Sequence, residues 1–80
     1  MPRYYINFRR GDLIANDDEG EDFPGFDEAK AAALMSAREI LADHIKIPVN
    51  APLEAVIITN EDGVELTTIL ARNILLEPLK

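Results

Sequence analysis

The order strand, strand, helix, strand, strand (ββαββ) predicts a two-layer α+β domain: an antiparallel sheet of about four strands, formed as two β-hairpins, with one helix packed on one face. Three features of the sequence point there. β-branched and aromatic residues cluster near the start and again after residue 52, a long stretch between them has helical period, and turn residues separate the strands of each pair. A chain of 80 residues holds one domain of this kind, supplied by residues 1–71. The segment 72–80 carries Ile74, Leu75, Leu76 and Leu79, so it is expected to dock on the domain or on a partner.

Tyr4-Tyr5-Ile6-Asn7-Phe8 reads as the first strand, with Tyr4, Ile6 and Phe8 on one face and Tyr5 and Asn7 on the other. Arg10-Gly11-Asp12 offers a turn, and Leu13-Ile14-Ala15 a short returning strand. From Asn16 to Asp22 the chain has five carboxylates, one glycine and no apolar residue, the composition of a solvated loop.

From Phe26 the period becomes helical. Phe26, Ala29, Ala33, Leu34, Ala37, Ile40, Leu41, His44 and Ile45 fall within about 160° of arc, with Glu28, Arg38, Glu39, Asp43 and Lys46 opposite. Gly25 is a candidate N-cap, and Asp27 and Glu28 sit in the first turn, where the helix dipole favours negative charge. Pro48 ends the helix, because its ring pushes Ile47 to extended geometry. Ala29, Ala33 and Ala37 on the buried stripe let the axis approach a sheet closely.

Leu53–Thr59 and Val64–Ala71 are two further strands, joined by Asn60-Glu61-Asp62-Gly63 as a type I turn with Gly63 left-handed. If Asn60 faces Val64, then Val56, Ile58, Val64, Leu66 and Leu70 share one face with Thr68, the better core face. Ala55, Ile57, Thr59, Glu65, Thr67 and Ile69 share the other. A four-residue loop would instead bring Ile57 inside with Leu66.

The fifteen Asp and Glu against eight Lys and Arg give a net charge of -7. Such a chain is repelled at long range by nucleic acid, and Arg3, Arg9 and Arg10 make a patch rather than a groove. Eight of the acids lie between Asp12 and Glu28, so the rest of the chain is near neutral. With no cysteine there is no disulfide, no thiolate nucleophile and no cysteine-based zinc site. The opening residues lack the apolar run of a secretory signal, and Ala31–Met35 is far short of the ~20 residues that span a bilayer; a cytoplasmic protein without a membrane anchor is expected.

The opening Met1-Pro2-Arg3-Tyr4-Tyr5, the Gly11-Asp12 turn, the Asp18-Glu19-Gly20 step and an alanine-rich helix before an Asp-Gly hairpin together carry a resemblance. Up to about Ala71 the chain resembles a family of small proteins of unknown function from rhizobia and related alphaproteobacteria, many of which open Met-Pro-Arg-Tyr or Met-Pro-Arg-Phe. Members often carry a histidine where this chain has Asn7. The resemblance implies a bacterial source and a compact domain, and it transfers no catalytic residue.

Few residues offer chemistry. His44 and Ser36, the only histidine and the only serine, stand eight apart on one helix, about 12 Å along its axis, too far for a nucleophile and its base. The plainer reading of His44 is a core-edge residue whose charged form the helix C-terminus favours. Asp17, Asp18, Glu19, Glu21 and Asp22 invite a divalent-cation reading, but with Gly20 as the EF-hand glycine the first ligand position falls on Ala15. A loop that keeps the domain soluble is the simpler account. The four glycines are isolated, so no phosphate-binding loop exists and no cofactor is expected.

The expected function follows by subtraction: no catalytic residue stands out, and apolar surface exceeds what one helix covers. The sequence therefore reads as a non-enzymatic interaction or regulatory module whose partner is a protein, a second copy included. The expected surface is Tyr5, Asn7, Ile57 and Ile69 on the outer sheet face, with Ile74 and Leu75 of the tail. The alternative is a small-ligand or divalent-cation domain using the acidic loop 17–22.

Overall fold

The computed structural model describes residues 1–47 and 49–74. Along the chain come β1 (Arg3–Arg10), β2 (Leu13–Ala15), β3 (Glu21–Asp22), the helix α1 (Phe26–Lys46), β4 (Ala55–Asn60), β5 (Glu65–Leu70) and the short helix α2 (Ala71–Ile74). The architecture is α+β in the order ββαββ, with β3 and α2 as small additions. All pairings are antiparallel in the order β2-β1-β4-β5, and β3 joins β1 on the same edge as β2.

Register decides which residues meet the helix. Ile6 lies opposite Ile58 and Phe8 opposite Val56, so the alternation of β1 and β4 presents Tyr4, Ile6, Phe8, Val56 and Ile58 on one face. Ala29, Ala33, Leu34 and Ala37 of α1 pack against that face. The three alanines have no exposed surface, and their small side chains bring the helix close to the sheet. Leu34, Val56, Ile58 and Ile74 are fully buried, each contributing about 2 kcal/mol relative to an exposed side chain. Phe23 closes the end of this core with its ring centroid 6.2 Å from that of Tyr4.

The β4–β5 turn closes as its residues require. The Gly63 N–H donates to the Asn60 carbonyl at 3.0 Å, the Asn60 N–H donates to the Val64 carbonyl at 3.0 Å, and Gly63 has φ +79°. Farther along the strand the expected faces fail. Thr59 pairs with Glu65, but Ile58 pairs with Thr67, so Leu66 is an extra residue in a β-bulge. Beyond it every side chain of β5 changes face: Ile69 lies opposite Val56 and is buried, while Leu70 and Thr68 turn outward. The expectation that Leu70 belongs to the core and Ile69 to the outer face is thereby corrected.

The helix begins after Gly25, which provides no side-chain cap; Asp27 and Glu28 supply negative charge in the first turn instead. It stops at Ile47, whose extended φ of -130° is what a residue preceding proline adopts; Pro48 itself lies outside the described residues. Past β5 the chain turns into α2, where the Ala71 N–H donates to the Glu54 carbonyl at 2.7 Å. Ile74 enters the core, and Arg38 Nη2 donates to the Ile74 carbonyl at 2.9 Å. Arg38, placed by its period on the solvent side of α1, is thus half-buried between the two helices.

Candidate functional site

The sheet has a second face, and no helix or strand among the described residues lies over it. Three rows cross it. Ile14, Arg9, Ala55 and Leu70 form the first, Asn7, Ile57 and Thr68 the second, Tyr5, Thr59 and Glu65 the third. Tyr5, Ile57, Thr59 and Leu70 are half-buried by their neighbours, and Ile14 is exposed. Arg9 leans toward Glu54 across 3.7 Å, an exposed pair worth little.

Of the residues expected to form one interaction surface, the structure brings together Tyr5, Asn7 and Ile57. Ile69 is inside because of the bulge, and Ile74 is inside because α2 packs under α1. Leu75 lies outside the described residues.

Asn7 is drawn into the fold by the acidic loop. Its Oδ1 accepts the Asp17 N–H at 2.8 Å, and it is the buried polar side chain of the described residues. In return the Asp17 carboxylate accepts two backbone donors, Gly20 N–H on Oδ1 at 3.0 Å and Ile6 N–H on Oδ2 at 3.2 Å. Ile6 needs that acceptor, because β2 pairs with β1 only at residues 8–10 and β3 only at residues 3–4. The segment 16–20 is therefore not a loosely solvated loop: Asp17 takes the place of the missing strand. Arg3 holds its far end, with Nε 3.0 Å from Asp22 Oδ1 and Nη1 donating to the Glu19 carbonyl at 2.7 Å. The hydrogen bond that Arg3 donates to the Asp22 carboxylate, and then that carboxylate's charge, raise the pKa of the Arg3 guanidinium above its ordinary value.

These contacts bear on the cation-binding candidates. Asp17 and Asp22 are engaged, whereas Asp18, Glu19 and Glu21 are exposed. Among the described residues no three His, Asp or Glu side chains are arranged to hold a metal ion.

His44 is half-buried near the end of α1, with Nε2 accepting the Leu53 N–H at 3.1 Å. In this contact Nε2 serves as a hydrogen-bond acceptor on the edge of the core. The bond ties the start of the second hairpin unit to the helix end, a structural role. Ser36 is exposed, one helix face away.

One concavity escaped the sequence. A cleft of about 550 Å³ opens on the helix side, where the start of β1, the first turn of α1 and the β4–β5 turn converge. Tyr4, Phe26 and Leu66 line it as apolar groups, Arg3, Glu61 and Asp62 as charged ones. These residues come from three distant segments and share no spacing. The Asp-Gly turn alone signalled that two carboxylates would project together.

No helix among the described residues is long and apolar enough to cross a membrane. Residues 3–72 match the family described as Domain of unknown function (DUF6894), and the chain belongs to that family. No curated protein and no solved structure matches it.

Proposed function

For a member of a family whose description assigns no activity, we propose a non-enzymatic interaction module that associates with a second copy of itself through the open sheet face. The observation that carries this reading is that face itself: three rows with Ile57 at the centre, Tyr5 and Leu70 beside it, and no helix or strand among the described residues over them. A second copy suits it because the surface is mixed, with Arg9, Glu54 and Glu65 at its margins, so a two-fold pairing sets charges of opposite sign within reach. Four strands about 4.8 Å apart, with about six residues at 3.3 Å each, span roughly 19 by 20 Å. That is small against the roughly 800 Å² per partner of a standard interface, so the association is weak and concentration-dependent. The resemblance to small rhizobial proteins implies a bacterial setting, and a chain without cysteine suits a cytoplasmic one.

Sedimentation velocity over a concentration series tests the reading. Wild type moves from the 8.9 kDa monomer toward twice that mass as concentration rises to about millimolar, and Ile57→Glu stays monomeric while keeping its melting temperature within a few degrees. A wild-type chain that remains at 8.9 kDa throughout overturns it.

A further inference from the structure

The cleft between the start of β1, the start of α1 and the β4–β5 turn lies on the opposite side of the sheet from the face just described, so what it binds is a separate question. Its volume, about 550 Å³, is within the range of small-molecule sites. Its apolar wall has two aromatic rings, Tyr4 and Phe26, together with Leu66, the bulged residue that the strand ladder leaves over. Its rim carries Glu61 and Asp62, both exposed on the turn. The one cation in the lining, Arg3, is hydrogen-bonded to Asp22 and to the Glu19 carbonyl and also feels the charge of Glu61, so the lining sets two carboxylates against a single guanidinium that Asp22 already pairs. Asp27 and Glu28 at the helix start, with Glu21 and Glu65 nearby in the fold, extend the negative potential of this end of the molecule.

We propose that the cleft binds an organic cation: an ammonium group on an aromatic or branched apolar stem, with the stem against Tyr4, Phe26 and Leu66 and the charge toward Glu61 and Asp62. Carboxylates at the rim attract the charge, and ring faces beside it add cation–π attraction. An anion of the same shape meets repulsion, and a neutral analogue loses the charge contribution.

Nuclear magnetic resonance titration of the full chain with benzylammonium, benzyl alcohol and benzoate provides the test. Benzylammonium moves the Tyr4, Phe26 and Leu66 signals with a roughly millimolar Kd, benzyl alcohol binds several-fold more weakly, and benzoate leaves them in place. Glu61→Gln combined with Asp62→Asn weakens benzylammonium about fivefold and brings it level with the alcohol, as expected for exposed charges. Leu66→Ala weakens cation and alcohol alike, which separates the apolar wall from the charged rim. Equal binding of all three probes, an unchanged Kd in the double variant, or no movement at about 20 mM benzylammonium overturns the proposal. A capped Leu-Lys-Leu peptide in the same titration distinguishes the source of the cation. Tighter binding than the free amine assigns the cleft to a protein's lysine, and weaker binding assigns it to a small molecule. Monomer and dimer both serve in this experiment, so its failure and that of the sheet-face reading are distinguishable.

Discussion

Asp17 and Asn60 do the same work in different places. Each side chain accepts two backbone N–H groups and so fixes a connection between strands: Asp17 those of Ile6 and Gly20, Asn60 those of Asp62 and Val64. The difference is reach. Both donors to Asn60 lie within four residues, whereas Ile6 is eleven residues from Asp17 and on another strand. A local clasp shapes a turn that its own residues already favour; a distant one replaces a missing stretch of sheet. The second therefore carries more of the stability, since without it a backbone donor in the middle of β1 has no partner.

The two glycines beside these clasps allow the sharpest test. Gly20 and Gly63 both have positive φ, +72° and +79°, but a side chain at Gly20 would place its Cβ 2.8 Å from Tyr5 Cε2 and 3.0 Å from the Tyr4 carbonyl oxygen, whereas at Gly63 it meets nothing within 4 Å. Gly20→Ala thus combines left-handed strain with overlap against the Tyr5 ring and the Arg3 side chain and a tight approach to the Tyr4 carbonyl, and costs about 3 kcal/mol, a large share of the roughly 4 to 12 kcal/mol available to a chain this size. Urea unfolding measures it directly, and a loss below that of Gly63→Ala would reverse the ranking. Next, Asp17→Ala costs about 2 kcal/mol, because two donors lose a charged acceptor. Hydrogen exchange should show faster exchange at Ile6 and Gly20 with β4 still protected; unaltered protection at Ile6 would mean that water replaces the carboxylate without loss. The smallest effect is Gly63→Ala, about 1 kcal/mol from the backbone alone, or a melting temperature lowered by roughly 4 to 8 °C.

The same contrast between near and far explains what could be read in advance. The helix from Phe26 to Lys46 and the turn at Asn60–Gly63 depend on neighbours in the chain, and both were legible from period and turn chemistry. The bulge was not. Val64, Leu66 and Leu70 are apolar at even positions and Ile69 at an odd one, so alternation could not say which set faces inward or where the strand changes phase. The role of the acidic loop was hidden for a related reason: the partner of Asp17 is Asn7, ten residues away, and a run of carboxylates looks the same whether it is dissolved or holding a strand. Of the expected surface, Tyr5, Asn7 and Ile57 follow from the first strand and from β4, whose faces were correctly read. Ile69 and Ile74 were misplaced because their burial depends on the bulge and on where the chain goes after β5. The cleft needed three segments to be assembled before it existed.

Leu66 has one more consequence. Remove it, and Glu65 and Thr67 become adjacent while still opposite Thr59 and Ile58, so the ladder runs on with unbroken alternation. The residue is an insertion the architecture can spare, unlike Ile58 or Val56. A strand that carries a supernumerary member at one point can change what it displays there without renegotiating the core, so deleting Leu66 removes one wall of the cleft while the β4–β5 ladder keeps its pairs.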